Sequence, residues 1–323
     1  MKIGLAGVGY LGSRHLNHLV NLGGVEVSGI WDIDRRILDA AALKFGVPAA
    51  SGLDDLIARS DAVDVVTPTS NHFETGCRVI EAGKPVFIEK PLCATVEEAQ
   101  RLIHLAEGGG VQVQVGHIER FNRAFRALGK AAPEPRFIEA HRLAPWNPRG
   151  MDVAVVFDLM IHDLDLALAL TNEKPHRIHA NGVGVVSDTI DIATARIEFT
   201  GGMVANLTAS RISLKRMRKL RLFSERAYVA LDLDRETCEF VGVVDDPSQV
   251  PKAAQSLGGM TLSDRSRTLY RRFLEAPPGD ALRLELEAFR DSVVRGTEPP
   301  VTGGDALRSL ELAERIVATV QGG

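Results

Sequence analysis

The sequence predicts an α/β protein: an N-terminal doubly wound parallel sheet, then a C-terminal α+β domain built on an open, mainly antiparallel sheet. Three observations carry this. Apolar strand runs alternate with helical patterns over about the first 120 residues. A glycine loop, Gly7-Val-Gly9-Tyr-Leu-Gly12, stands between the first strand and the first helix. After Asn122 the pattern changes to successive alternating segments separated by turn residues, the mark of antiparallel pairing. The expected domains are therefore residues 1–121 and 122–323.

Lys2 to Leu5 opens the chain as a strand. Leu11 to Leu22 follows with helical spacing in Leu11, His15, Leu16, Leu19 and Val20. A strand before and a helix after are the context that a GxGxxG loop needs to bind a dinucleotide. Gly7 permits the tight turn, Gly9 lets backbone approach a pyrophosphate on the helix N-terminus, and Gly12 lets helix pack on strand. Val8, Tyr10 and Leu11 lie in the same cofactor-binding loop. The next strand, Val25 to Trp31, ends in Asp32, twenty positions after Gly12, where an acid grips the adenosine ribose. As a helix cap Asp32 is less well placed than Asp34. An acid at this position repels a 2′-phosphate and favours NAD over NADP. Arg35 and Arg36 weaken that preference, because either can accept the phosphate.

Arg35 to Phe45 is a helix closed by Gly46, and Leu53 to Arg59 a shorter one. Val63 to Val66 is a strand running into Thr67-Pro68-Thr69-Ser70-Asn71-His72. Small hydroxyl residues there suit a nicotinamide or ribose pocket; the same stretch also reads as a plain turn, with Asn71 as cap and His72 in the first helical turn. The helix from Phe73 to Ala82 stops at Gly83. Val86, Phe87 and Ile88 then form a short apolar run between prolines, a buried parallel strand. It ends in Glu89-Lys90-Pro91. Ligands sit beyond the carboxyl ends of such strands, and a lysine stopped by a proline that cannot continue the ladder is held at the mouth of the sheet. On its own Lys90 reads as a solvated loop lysine. The glycine loop on the same sheet and a later helix bearing Asp158 and His162 make it a catalytic candidate. Thr95 caps a helix from Glu97 to Glu107, with Glu98 at the capping-box position. Val111 to Val115 is the last strand, followed by Gly116-His117-Ile-Glu-Arg120-Phe-Asn122.

In the second domain Arg136 to Leu143, His176 to Val186, Asp191 to Phe199, Met203 to Arg211, Leu220 to Phe223 and Tyr228 to Leu233 read as strands, and residues 245–259 as a loop. Helices confined to one face of this sheet leave a second face to cover. Subunit pairing covers it, so a homodimer or homotetramer is expected. Asp158, His162 and Asp165 stand at i, i+4 and i+7, on one face of a helix.

The bulk numbers exclude several classes. Hydrophobic residues make up 45% and charged residues 25% of the 323 positions, as in soluble globular proteins. A net charge of −4 and 5% aromatics argue against a nucleic-acid partner. Cys77, Cys93 and Cys238 are scattered and fit free thiols in a reducing compartment. The N-terminus lacks a secretory pattern, and no apolar run approaches the ~18 residues of a membrane span. The expectation is a cytoplasmic enzyme with a small-molecule substrate, no membrane association and no metal.

The run from Gly7 to Asn122 resembles the glucose–fructose oxidoreductase, inositol dehydrogenase and rhizopine-catabolism (Gfo/Idh/MocA) family. The carriers are Gly7-x-Gly9-x-x-Gly12, Asp32, Thr67-Pro68 before Asn71-His72, and above all Glu89-Lys90-Pro91. The resemblance implies an NAD-dependent Rossmann-fold dehydrogenase in which Lys90 lies beside the nicotinamide and the reacting hydroxyl, with Glu89 and His117 in the cofactor site. Asp158-Leu-Met-Ile-His162-Asp-Leu-Asp165 is similar to the family's Asp-x-Gly-x-His-x-x-Asp helix, with Met160 in the glycine position, where it narrows the approach to substrate. The tail from Leu284 to Val320 resembles the family's closing helices, which pack back near the first domain.

One branch is resembled in particular, through Gly116 to Asn122, Asp158 to Asp165, and Ala205 to Ser213 with Lys219-Leu-Arg221. Its bacterial enzymes oxidise the 3-hydroxyl of UDP-N-acetylglucosamine to a ketone, and a partner aminotransferase then makes the 3-amino sugar of lipid A. Arg123 departs from it, standing where a proline is expected. On this resemblance His162 is the base and Lys90 a donor to the developing alkoxide, or Lys90 is itself the base if neighbouring cations lower its pKa. Asp158 orients His162 or grips a sugar hydroxyl. Residues 211–226 carry seven basic side chains and one acid, Glu225; they form a solvated strand face, or one or two neutralise a substrate diphosphate. Arg120, Arg142 and Arg149, with Asn122, are rival substrate-binding candidates. Trp146, between two prolines, stacks on a uracil or sugar ring or is a buried anchor. Competing substrates are inositol, a free sugar or another sugar nucleotide, and the competing class is a cofactor-sensing regulator.

Overall fold

The computed structural model describes residues 1–147, 153–262 and 265–322. Five strands pair in parallel in the order β2-β1-β3-β4-β5: β1 (Lys2–Ala6), β2 (Glu26–Trp31), β3 (Ala62–Val65), β4 (Val86–Glu89) and β5 (Val113–Gly116). Helices α1 (Tyr10–Leu19), α2 (Arg35–Phe45), α3 (Leu53–Ala58), α4 (His72–Glu81) and α5 (Val96–Gly109) connect them. Local chemistry fixes the helix ends. Asp34 caps α2 by accepting from the Arg36 N–H at 2.9 Å, and Thr95 caps α5 by accepting from the Glu98 N–H at 3.2 Å. Gly46 and Gly110 close the same helices at φ of 65° and 63°. The strand order reverses between β1 and β3. That switch point sets the loops after those two strands on either side of one crevice, the place where such sheets bind ligands.

The chain divides into two units, Met1–Ile118 with Gly279–Glu311, and Glu119–Pro278 with Leu312–Gly323. This differs from the two continuous segments expected, because α8 (Ala281–Arg295) belongs with the first unit. Leu282, Leu286 and Phe289 of α8 are buried in the core formed by Ile3, Leu5, Leu16, Leu19 and Phe87. Burying such an apolar face is the dominant favourable term in packing. α9 (Gly303–Gln321) is divided between the units.

The second unit holds a nine-stranded sheet in the order β13-β14-β12-β11-β10-β6-β9-β8-β7. Its strands are β6 (Phe137–Leu143), β7 (Pro175–Val183), β8 (Ile192–Phe199), β9 (Val204–Ser210), β10 (Met217–Phe223), β11 (Ala227–Asp232), β12 (Thr237–Val244), β13 (Gln255–Leu262) and β14 (Arg265–Leu274). The β6–β9 pair is parallel and the remaining neighbours are antiparallel. The helices of this unit are α6 (Arg123–Leu128) and α7 (Ile161–Ala169). Along β8 and β9 one face is buried (Ala193, Ala195, Ile197; Ala205, Leu207, Ala209) and the other carries Thr194 and Arg196.

The loop expected over 245–259 is corrected, since Gln255 onward is strand β13. That edge strand leaves Gln255 through Gly259 exposed and includes two glycines, so it has no alternation to betray it. Among the described residues no helix is long and apolar enough to cross a membrane.

Candidate functional site

The glycine loop separates what the fold demands from what a ligand demands. Gly7 has φ +92°, and a Cβ there would meet the Val66 carbonyl oxygen at 2.6 Å; at Gly12 it would stand 2.0 Å from the Gly7 carbonyl oxygen. Both glycines are required by the fold itself. Gly9 is not, because a Cβ there would meet nothing within 4 Å. Gly9 is also the N-cap of α1 and offers no side chain to the helix's first N–H groups. The result is a bare helix N-terminus with open space before it, the arrangement that accepts a pyrophosphate. Asp32 stands beside it, its Oδ2 accepting the Val8 N–H and its Oδ1 the Asp34 N–H, both at 2.9 Å. The capping task falls to Asp34. Arg35 and Arg36 lean on Asp39 and Asp34.

Across the switch point, Thr67 follows β3. Its Oγ1 is buried and has no hydrogen-bond partner among the described residues, as a group awaiting a ligand would be. Asn71 occupies the N-cap position of α4, but its side chain accepts from Ser70 Oγ at 3.0 Å and does not cap. Pro68 is exposed, and Thr69 is half-buried in the same turn. These features fit a dinucleotide: a phosphate cradle, a ribose acid and an open hydroxyl at neighbouring strand ends.

His72 is corrected. Its ring is 1% exposed, with Nδ1 2.9 Å from the Pro91 carbonyl oxygen and Nε2 2.9 Å from that of Thr67. Burial holds it below its ordinary pKa. A neutral ring donates to one of these two carbonyls, and with both nitrogens turned to backbone between the loops after β3 and β4 neither faces a cofactor.

Lys90, half-buried, leaves the end of β4 through a cis bond to Pro91. Glu89, just before it, is 7% exposed and turned inward: Oε1 is 3.1 Å from His15 Nε2, and Oε2 accepts the Lys90 N–H at 3.0 Å. Its carboxylate is thus used inside the protein, a correction to its expected place among the cofactor ligands. His117, at the end of β5, is buried, with Nε2 3.4 Å from Ser309 Oγ.

In the second unit, Asp158 and His162 do not stand on one uninterrupted α-helix. Val156–Met160 form a π-turn that runs into α7. The wider turn changes the expected one-face register, and such turns are frequent at functional sites. Asp158 and His162 are half-buried. Asp165 is 1% exposed and accepts from Arg120 Nε at 2.7 Å and Nη2 at 2.8 Å.

Two expected substrate ligands are corrected here. Arg142, 2% exposed, donates to Asp163 through Nε at 3.0 Å and Nη2 at 2.8 Å, and to Glu119 through Nη1 at 2.7 Å. Asn122 caps α6 through Oδ1 and donates to Glu119 at 3.1 Å and to the Leu233 carbonyl at 2.8 Å. Both are buried and turned to protein partners rather than to a ligand. Arg142 flanks the catalytic helix in sequence, but that nearness says nothing about the acid waiting on α7. Arg149 lies outside the described residues.

A cavity of about 530 Å³ in this unit is lined by Trp146, Asn147, Asp158, Leu159, Arg211 and the pair Arg216 and Arg218. Trp146 is 57% exposed, so it is not a buried anchor. Arg216 meets Asp234 at 2.6 Å and Arg218 meets Glu119 at 3.4 Å. Arg211 is buried against the Val153 carbonyl and Asp191. An aromatic face, a carboxylate and three guanidinium groups around one space suit a ligand that carries a ring, hydroxyls and phosphates.

Comparison with known proteins agrees with this chemistry. Residues 1–117 match the oxidoreductase family with an NAD-binding Rossmann fold, and residues 129–230 match the Gfo/Idh/MocA C-terminal domain. A UDP-N-acetylglucosamine 3-dehydrogenase of Acidithiobacillus ferrooxidans is 39% identical over 238 residues, covering 73% of this chain and 75% of its own. A solved structure of the enzyme of that name and organism superposes with a TM-score of 0.87 and 32% identity, covering 100% of this chain and 98% of that one. A myo-inositol 2-dehydrogenase of Thermotoga maritima is 27% identical over 332 residues, 97% of this chain and 94% of its own.

Proposed function

This chain belongs to the Gfo/Idh/MocA family of NAD-dependent oxidoreductases, and from that premise we propose that it oxidises the 3-hydroxyl of UDP-N-acetylglucosamine to the 3-keto sugar. The observation that carries the substrate beyond the family is the cavity lined by Trp146, Asp158 and three arginines. Each arginine lies beside an acid, yet guanidinium donors gathered on one wall suit a diphosphate, which a neutral inositol lacks. The 39% identity to a UDP-N-acetylglucosamine 3-dehydrogenase supports the same reading.

NAD, when bound, supplies the hydride acceptor. The loop from Gly7 to Gly12 and the α1 N-terminus hold the pyrophosphate, Asp32 the ribose, and Thr67, Thr69 and Asn71 the nicotinamide end. Lys90 donates a hydrogen bond to the reacting hydroxyl oxygen and stabilises the alkoxide that develops as its proton leaves. His162 accepts that proton, imidazole being the side chain whose charge changes between about pH 5 and 8. Asp158, on the cavity wall, grips a sugar hydroxyl. Arg216 and Arg218 receive the diphosphate, and Trp146 stacks on the uracil or the sugar. The ketone produced is what an aminotransferase needs to make a 3-amino sugar for lipid A. In the same reading the protein works in the cytoplasm as a homodimer or homotetramer, paired through the open face of the nine-stranded sheet.

The test is NADH formation from NAD with UDP-N-acetylglucosamine, UDP-glucose, free N-acetylglucosamine and myo-inositol side by side. UDP-N-acetylglucosamine is expected to give the highest kcat/KM. Turnover of myo-inositol alone would replace this substrate with the one named for the Thermotoga relative. No turnover of any sugar, with NAD still bound, would favour a cofactor sensor.

A further inference from the structure

Three ionisable side chains meet inside the first unit, behind the strand end that carries Lys90. His15 comes from α1, Asp64 from β3 and Glu89 from the end of β4, and all three are buried, at 0%, 0% and 7% exposure. His15 Nδ1 lies 2.9 Å from Asp64 Oδ2, and Nε2 lies 3.1 Å from Glu89 Oε1. Carboxylate oxygens only accept, and a neutral imidazole donates from one nitrogen only. Filling both contacts therefore needs one more proton than a neutral ring and two carboxylates contain. Burial works against a charged ring, but Asp64 and then Glu89 outweigh it and raise His15 to about 10. Burial also works against an ionised Glu89, but the hydrogen bond and charge of His15 hold that carboxyl below its ordinary value. Burial raises the Asp64 carboxyl as well, but the ring faces a carboxyl oxygen at each nitrogen, so the extra proton is placed on the ring, with Glu89 anionic.

The Glu89 carboxylate is seated from three sides. The His15 ring holds Oε1, the Lys90 N–H holds Oε2, and the third side is Gly116, where a Cβ would come within 2.9 Å of Oε1. The ring plane is fixed in turn by Phe87, edge-on at 5.8 Å and 67°, and Phe87 rests on Phe289 at 5.8 Å. Such a cluster is a poor stabiliser. Desolvating several charges costs so much that well-packed apolar residues in their place are often neutral or better. What it supplies is geometry: a carboxylate that cannot turn, bonded to the backbone of the residue that follows.

We propose that His15, by donating from both ring nitrogens, is a positioning residue for the reaction: it clamps Glu89, and Glu89 sets the backbone from which Lys90 projects. The proposal rests on the role given to Lys90 above. His15 touches neither substrate nor cofactor in this scheme; it acts through Glu89 on the direction in which the lysine leaves the sheet.

Three variants, His15→Leu, His15→Gln and Lys90→Met, test this together with the wild-type enzyme, using UDP-N-acetylglucosamine and NAD. His15→Leu is expected to lower kcat ~10- to 100-fold, the loss that follows from an ångström-scale misplacement of a catalytic group, with NAD affinity by fluorescence titration unchanged. His15→Gln, whose amide still donates to Glu89, recovers part of that loss. A merely structural His15 would lower the yield of folded enzyme and leave kcat per folded molecule alone. Full kcat in His15→Leu beside a dead Lys90→Met overturns the proposal and leaves the reading of Lys90 intact. Full kcat in Lys90→Met overturns that reading, and the proposal with it. Should His15→Leu not fold, nitrogen-15 NMR of the wild-type enzyme decides. Protons on both His15 ring nitrogens at pH 8 support the clamp, and a singly protonated ring refutes it.

Discussion

His15 and Arg142 are both cations sunk among carboxylates, one in each unit, and they end in different places. Arg142 is saturated: Asp163 takes two of its nitrogens, Glu119 takes the third, and Asn122 closes on Glu119 from the other side. Burial opposes its charge, and the Asp163 and Glu119 carboxylates more than offset that. Its charge is permanent and each of its three nitrogens faces one of these acids, so it staples α7 to β6. His15 also meets two acids, but its charge depends on a proton, and one of its acids holds the backbone of Lys90. A buried ion cluster is thus no sign of function by itself. What separates the two is where the last hydrogen bond in the chain arrives.

The largest expected effect lies at the end of the His15 chain. Lys90→Met lowers turnover by about 10²–10³-fold or more, the loss that follows removal of a donor to a developing oxyanion, while NAD binding by fluorescence titration is retained. Next comes the staple. Arg142→Ala leaves Asp163 buried without its cation and Glu119 with the more distant Arg218, and costs about 3–5 kcal/mol of stability in denaturant unfolding. A loss under about 1 kcal/mol, no more than a surface pair is worth, would mean that the staple does not hold the second unit.

The smallest effect is a pH slope set by His15. His15 is raised from 6.5 to about 10 in the folded state, so its contribution to stability is complete below pH 6.5 and is lost as pH rises through about 10. Glu89, held low, stays ionised across the window. Melting temperature should therefore fall between about pH 6.5 and 10 in the wild type and fall less steeply in His15→Gln. Equal slopes would remove the proton from His15.

The first unit was legible because its signals are local. The glycine loop, Asp32 at the end of β2, and Val86-Phe87-Ile88 before Glu89-Lys90-Pro91 are each read within a few residues. His15 was legible only as a buried position on α1, where its i+4 spacing to Leu19 fits an apolar face. Its partners lie 49 and 74 residues away, and no local pattern joins them. Arg142 reads as a substrate ligand for the same reason, since Asp163 on α7 and Glu119 after β5 lie 21 and 23 residues away, and the Leu233 carbonyl that holds Asn122 lies 111 residues on. Asp158 to His162 was read with α-helical spacing, and the π-turn that widens it leaves no trace in hydrophobic periodicity. A signal for the His15 cluster did exist, in a histidine on an apolar helix face and an aspartate inside an apolar strand. Two misfits of that kind in one core point to each other.

In the proposed reaction a hydride leaves carbon 3 of a UDP-sugar for NAD. The direct measurement is turnover of UDP-N-acetylglucosamine deuterated at carbon 3, with the NADH collected and weighed by mass spectrometry. Deuterium in the NADH, with a 3-keto UDP-sugar beside it, is the expected result. NADH formed without deuterium, or no NADH from this sugar while myo-inositol is oxidised, would contradict it.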